Sequence, residues 1–392
     1  MSGALGVTMA LKAPLTGRGR SLDRHGLHRR ARGHTGAMRF CALALPLIIA
    51  AAMTGACGSD DVSEALPVAA RSAAPPVKTL ATGLMVPWGV AFLPGGDALV
   101  SERTTARIVR VPKAGGTRKT VMRVPGVDTD AGEGGLLGLA VSPTYAKDRL
   151  VYAYLTSPTD NRIVRFTLGG RVRTIVKGLK RAGFHNGGRL AFGPDGRLYA
   201  SIGDAGNTGD AQSRSAPNGK ILRMNPDGSV PKSNPFKGSR VWSLGHRNPQ
   251  GLTFDGAGRL WAVEFGQDRV DEVNLITKGR NYGWPVVEGR GSTRGGRFVN
   301  PKVTWPTDEA SPSGVAFADG ALYVGALRGE RVYRIALDGK RAGRPSSLLK
   351  GRFGRLRTVQ RATDGALWVT TSNRDGRGSP RKGDDRILRL AP

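Results

Sequence analysis

"FGPDGRLY", residues 192–199, lies between two short runs in which alternate residues are apolar, "RLAF" (189–192) and "RLYASI" (197–202). Alternation of that kind gives a strand one apolar face. Pro-Asp-Gly is suited to a tight reversal: proline presets φ, aspartate bonds the backbone ahead of it, and glycine accepts positive φ. The stretch is predicted to be a β-hairpin. A lone hairpin buries too little apolar surface to be stable in water, so it needs partners.

The same phrase recurs along the chain. "FLPGGDALV" (92–100), "FDGAGRLWAV" (254–263), "FADGALYV" (317–324) and "ATDGALWV" (362–369) repeat it, and "VSPTYAKDRLVYAY" (141–154) is a looser copy. Ahead of most copies stands a Gly-apolar-x-apolar phrase, as in "GVAF", "GLAV" and "GLTF". Behind them stands another strand: "RIVRV" (107–111), "RIVRF" (162–166), "KILRM" (220–224), "RVDEVNLI" (269–276), "RVYRI" (331–335) and "RILRL" (386–390). Six units between residues 78 and 392 run to roughly 50 residues each, the size of one propeller blade. A β-sandwich has no need of six similar units, and a solenoid would keep a stricter, shorter period. The expected fold is all-β, a six-bladed β-propeller with four-stranded blades.

Composition narrows the chemistry. The 392 residues carry a formal charge of +30, with 57 glycines, 24 prolines and two cysteines. The basic residues are scattered singly through strand-like segments, so no nucleic-acid patch is expected; anionic envelope polymers or acidic sugars suit the charge better. Of the two cysteines, Cys41 lies inside the apolar run "FCALALPLIIAAAM" (40–53), which has the proportions of a signal-peptide core, and Cys57 lies just after it. Residues 1–57 read as a basic extension followed by a signal peptide and a lipobox-like end at Cys57, with Met38 a candidate start. Residues 58–77 read as a flexible linker, and 78–392 as the propeller. This predicts export across the cytoplasmic membrane, with a lipid anchor at Cys57 as the only membrane attachment. The propeller has no cysteine, which excludes a disulfide framework and a thiol nucleophile.

In a propeller the first strand of each blade lines the central channel, so the residues before those strands gather on one rim. Here they are Pro87 and Trp88, Glu133, His185 and Asn186, Arg247 and Asn248, Ser311 and Ser313, and Arg355 and Arg357. Loop ends that only had to turn would be Gly, Asn, Ser or Pro. A carboxylate, an imidazole and three guanidinium groups instead imply a site for an anionic ligand with one candidate base, His185. A histidine before two glycines can simply cap a turn, but convergence with Arg247 and Glu133 favours function. His246 shares no metal-ligand spacing with His185, so a histidine zinc site is not expected. "GDAGNTGDAQ" (203–212) is oxygen-rich but fits no EF-hand spacing and is left without a role.

Taken together, "GEGGLLGLAVSP", "HNGGRLAFGPDGRLYASIGD", "GHRNPQGL", "EFGQDRVDEVNLITKGRNYGWP" and "SGVAFADGALYVGALRGERVYRI" resemble the soluble quinoprotein sugar dehydrogenases of the glucose/sorbosone type, the aldose sugar dehydrogenase branch above all. The resemblance covers nearly all of residues 80–390. It implies pyrroloquinoline quinone and calcium as cofactors, and oxidation of an aldose at C1 to the lactone. An external electron acceptor would reoxidise the cofactor. His185 matches the family's catalytic base, and Arg247 with Asn248 matches residues beside the quinone carbonyls. Arg355 and Arg357 match the pair facing the cofactor carboxylates, Arg328 falls where some members have a cofactor-contacting lysine, and Glu133 takes a polar position beside the site. Main-chain carbonyls of Gly266 and Gln267 match ligands of the cofactor-bound calcium; Glu272 and Tyr282 match ligands of a second, structural one. Phe184 departs from relatives that carry an acidic residue there, and the stretch between Gly289 and Ser311 is short, so sugar specificity does not transfer. Two other readings compete: a propeller that binds a sugar or partner without catalysis, and a metal-dependent lactonase, which an arginine-rich rim disfavours.

Overall fold

The computed structural model describes residues 76–392, so the expectations for residues 1–57 and for most of the 58–77 linker lie outside the described residues. The strands form six antiparallel sheets, each repeating the predicted unit. Blade 1 comprises Pro87–Phe92, Ala98–Glu102, Arg107–Val111 and Lys119–Arg123. Blade 2 comprises Leu136–Val141, Val151–Thr156, Asn161–Phe166 and Arg173–Leu179; blade 3 comprises Leu190–Phe192, Leu198–Ile202, Lys220–Met224 and Val241–Leu244. Blade 4 comprises Asn248–Phe254, Leu260–Phe265, Val270–Ile276 and Val303–Pro306. Blade 5 differs from the four-stranded expectation: Pro312–Ala318, Ala321–Ala326 and Arg331–Asp338 are followed by two short strands, Arg341–Ala342 and Ser346–Leu348, that pair separate parts of Arg331–Asp338.

Blade 6 is assembled from both ends of the described chain. Leu356–Arg361, Leu367–Thr371 and Ile387–Leu390 supply its inner strands, and Val77–Ala81 its outermost one. Closing the ring this way pairs an edge that would otherwise be open.

The repeated phrase explains itself in the structure. Asp195, Asp255 and Asp364 each accept the backbone N–H two residues ahead, from Arg197, Ala257 and Ala366 respectively. The glycine of the Gly-apolar-x-apolar phrase answers to a different constraint, the closeness of neighbouring blades at the axis. A Cβ on Gly89 would lie 2.7 Å from the Leu137 carbonyl oxygen, and one on Gly314 2.7 Å from the Thr358 Cα. Gly138 and Gly251 stand equally close to the next blade, against the Gly188 and Ser313 carbonyls.

Between the blades the inward-facing residues form the core. Tyr152, Tyr154, Leu190, Leu198 and Leu222 join blades 2 and 3, while Trp261, Val273, Trp305, Val315 and Tyr333 join blades 4 and 5. These sheets are buried on both faces, and burial of that much apolar surface is what holds them radially. The rigid frame presents two sets of loops at one rim: those leading into each first strand, and those leaving each second strand.

Candidate active site

His185 precedes the first strand of blade 3, and the second strand of that blade ends at Ile202. The pairing of Leu190 with Ala200 brings the segment before 190 alongside the segment after 202. Asp204 therefore lies beside His185, with Nδ1 of the imidazole 2.8 Å from Asp204 Oδ1. Asp204 also accepts the Gly206 amide at 2.9 Å and the Trp284 indole Nε1–H at 2.8 Å. Burial pushes the Asp204 carboxyl up, but the hydrogen bonds from His185, Gly206 and Trp284 outweigh it and hold it below the ordinary carboxylate range. An ionised Asp204 can only accept, so Nδ1 of His185 carries a proton, and in the neutral imidazole Nε2 is then the nitrogen with the lone pair.

The backbone at His185 sits in the left-handed region, with φ of 55°. Several contacts hold it there. The His185 amide donates to Glu133 Oε2 at 3.3 Å, its carbonyl accepts the Ala205 amide, and Asn186 ties itself to both the N–H and the C=O of Ala182. Asn186 also accepts from Asn161 and the Tyr154 hydroxyl, so it belongs to the scaffold.

Arg247 and Asn248 open blade 4. The Arg247 guanidinium lies over the Trp284 ring, 5.4 Å from its centroid, so one indole supports both Asp204 and Arg247. Burial lowers the Arg247 pKa, opposed by Asp204, Glu288 and Glu264. Its Nε and the Asn248 side-chain nitrogen are buried with no hydrogen-bond partner. His246 is fully buried, stacked on Tyr282 and bonded to Ser243 and Glu264, in keeping with a structural role.

A cavity at the rim is lined by Trp88, Gln250, Phe265 and Leu327, by four arginines (Arg103, Arg355, Arg357 and Arg377), and by two acids, Glu133 and Asp375. Asp375 accepts from Arg355 at 3.1 Å and from Arg357 at 3.2 Å. Burial raises its pKa, but Arg357 and Arg355 outweigh that and keep it ionised. Arg357 is itself lowered to about 10, chiefly by burial. Glu133 meets Arg377 at 2.8 Å across the mouth. Guanidinium groups outnumber carboxylates, and Arg103 Nε is buried without a partner. Buried cations in excess call for an anion.

The structure thus places Glu133, Arg355 and Arg357 in the cavity wall, while His185, Arg247 and Asn248 adjoin it without lining it, His185 through its amide bond to Glu133, Arg247 through the Phe265 carbonyl and Asn248 through the Gln250 side chain. It does not bring Arg328 to the cavity wall: Leu327 occupies that place, and the Arg328 side chain is exposed. Sequence reasoning missed Asp204, Trp284, Arg103, Gln250, Asp375 and Arg377. Four of these six follow second strands, where the repeat itself could have flagged them.

The loop after Phe265 has an unusual arrangement. Glu288 Oε1 accepts the amides of Gln267, Asp268, Arg269 and Val270, and Asp271 accepts that of Gly266. With the N–H groups turned inward, the carbonyls of Gly266 and Gln267 accept no hydrogen bond among the described residues. Nearby, Glu272 is buried and accepts from Gly289 and Asn274; burial and the Glu264 charge push its carboxyl up. The Tyr282 hydroxyl is committed to Leu275 and Thr277, which leaves only its main-chain carbonyl to face a cation. Among the described residues no group of three or more His, Cys, Asp or Glu side chains is placed to hold a metal. Any cation here would rest largely on carbonyl oxygens, which suits a hard ion.

One consequence can be tested directly. Asp204→Asn keeps the shape but loses the charge that fixes the imidazole tautomer, so turnover should fall about a hundredfold with cofactor affinity unchanged. Steady-state kinetics beside a cofactor titration would check it.

Residues 84–388 match the Glucose / Sorbosone dehydrogenase family. The structure is similar to the pyrroloquinoline quinone-bound form of aldose sugar dehydrogenase from Streptomyces coelicolor, at 52% identity and a TM-score of 0.77, covering 81% of this chain and 99% of that one. Quinoprotein glucose dehydrogenase B of Acinetobacter calcoaceticus is 36% identical over 262 residues, 57% of this chain and 55% of that protein. Aldose sugar dehydrogenase YliI of Escherichia coli is 29% identical over 339 residues, 76% of this chain and 91% of that protein.

Proposed function

The chain belongs to the glucose/sorbosone dehydrogenase family and is a quinoprotein sugar dehydrogenase, and from that premise we propose that it oxidises aldoses at C1 to the lactone with His185 as base. The observation that carries this is the Asp204–His185 pair at 2.8 Å beside a cavity in which four guanidinium groups face only two carboxylates. Oxidation at C1 removes a proton from the anomeric hydroxyl and a hydride from the carbon. His185 Nε2 takes the proton, Asp204 steadies the imidazolium that results, and Trp284 holds Asp204 in place.

The residues present fit pyrroloquinoline quinone. Its three carboxylates ask for fixed cations, which Arg355, Arg357, Arg103 and Arg377 supply. Its carbonyl oxygens ask for donors, and the unpartnered Arg247 Nε and Asn248 Nδ2 are such donors. When bound, the quinone supplies a two-electron hydride acceptor, which calcium can polarise as a Lewis acid. Arg247 provides a fixed positive charge where negative charge grows. Gly266 and Gln267 would hold one calcium through their free carbonyls. A second would rest on the Glu272 carboxylate and the Tyr282 carbonyl, where it would relieve the repulsion between Glu272 and Glu264. An external acceptor reoxidises the cofactor, and the signal-like run ending at Cys57 supports export with a lipid tether.

The decisive experiment uses the propeller purified without cofactor, given calcium and the quinone, then a panel of aldoses with an electron-accepting dye. Dye reduction that requires both cofactors and an aldose is expected. Failure to bind the quinone at all would favour the recognition propeller instead, whereas binding without turnover would point to a substrate or acceptor outside the panel.

A further inference from the structure

Among the described residues only two large apolar side chains stand exposed, Phe184 at 48% and Val286 at 44%. Phe184 is the immediate neighbour of the base. Its ring stands perpendicular to the His185 imidazole, with centroids 4.7 Å apart and an interplanar angle of 87°. The ring edge, at Cζ and Cε2, also reaches Gly206, where an added Cβ would stand 3.2 Å from Cζ. Gly206 belongs to the loop whose Asp204 orients His185, and its amide donates to that carboxylate.

The ring is therefore both exposed and held. Gly183 accepts the Glu133 amide just before it, Asn186 clamps Ala182, and the left-handed backbone at His185 turns the chain back into the blade. An aromatic ring left in water needs a reason, since its apolar face would gain by being covered. Phe184 is also not needed for packing: it belongs to none of the buried clusters that join the blades.

We infer that Phe184 is the platform on which the sugar ring stacks, setting the C1 hydroxyl against His185 Nε2; this rests on the dehydrogenase reading above. The face of an aromatic ring is electron-rich, and the C–H bonds of a pyranose are its electron-poor, apolar side. A sugar laid on Phe184 covers water-exposed carbon and leaves its hydroxyls free for the polar rim. A pyranose is wider than the spacing between the two rings, so one seated on Phe184 also meets His185. Selection then acts on the shape of the sugar's C–H face.

The test compares Phe184→Ala, Phe184→Leu and Phe184→Trp with the unaltered protein, all loaded with quinone and calcium. Two readouts are taken: steady-state kinetics on D-glucose, and calorimetric binding of 1,5-anhydro-D-glucitol, which has no C1 hydroxyl to oxidise. Alanine and leucine should each raise KM and weaken anhydroglucitol binding about tenfold, with kcat altered much less, while tryptophan preserves both. Quinone affinity should not move in any variant, because Phe184 does not line the arginine cavity. If leucine behaves like phenylalanine, bulk rather than a ring is what matters and the inference fails. An alanine variant with unchanged KM and binding also overturns it. An unaltered protein that oxidises no aldose refutes the dehydrogenase reading instead. In that case the platform still stands if anhydroglucitol binds and alanine abolishes binding, and falls if it does not bind.

Discussion

His185→Gln should bind pyrroloquinoline quinone as tightly as the unaltered protein and turn over about a thousandfold more slowly or worse. The expectation follows from three features of the site. The Nδ1 side of the imidazole is already engaged by Asp204, so the chemistry has only Nε2 to use. No other group at the rim can replace it. Glu133 is occupied by Arg377 and the His185 amide, and Asp375 is held ionised between two arginines. A glutamine amide can still bond Asp204 but cannot accept a proton near neutral pH.

The side chain is not part of any blade core, so the fold should survive. The local backbone is the one concern, because φ of 55° suits His better than Gln. His185→Asn is therefore a useful companion, since asparagine adopts the left-handed region readily. Both variants should titrate the quinone normally and both should lose turnover. Near-normal kcat in either one would end the assignment of His185 as the base.

What the sequence disclosed and what it hid have a common physical cause. The hairpin phrases carry their own local chemistry, an alternation that buries one face and, at Asp195, Asp255 and Asp364, an aspartate that bonds two residues ahead. Such signals can be read wherever they occur, and six of them gave the propeller. The rim before each first strand was legible for the same reason, because it is the stretch just ahead of a recognised strand. His185, Arg247, Asn248, Glu133, Arg355 and Arg357 all came from it.

The loops after the second strands lie on that rim too, since a strand that runs down must be followed by one that runs up. Arg103, Asp204 and Asp375 are found there, one after each second strand of blades 1, 3 and 6. The register of any one hairpin would have placed Asp204 beside His185. Trp284 is harder, because it sits in a long insertion between the third and fourth strands of blade 4, with no counterpart in the other units. The pairing of Val77–Ala81 with Ile387–Leu390 leaves no local mark at all. It joins the two ends of the propeller, and only closure of the ring demands it.

Replacing Arg355 and Arg357 together by methionine should produce the mirror image of the His185 result, a loss of cofactor binding that excess cofactor partly restores. Each guanidinium faces the cavity where the quinone carboxylates would sit, and a charge-assisted bond to a carboxylate contributes about 1.5–3 kcal/mol. Losing two such bonds should weaken quinone affinity by a factor of roughly a hundred to ten thousand. The double variant has a second effect that must be separated from the first. Asp375 accepts from both arginines and its side chain is only 3% exposed, so it would be left buried without either of its ion-pair partners. An unpaired buried charge destabilises the blade and also repels an anionic ligand. Adding Asp375→Asn to the pair removes that charge while keeping the shape. If the triple variant regains thermal stability yet still binds the quinone weakly, the arginines hold the cofactor directly. If it regains affinity as well, the loss belonged to Asp375, and the cofactor carboxylates must be held by Arg103 and Arg377 at the cavity wall.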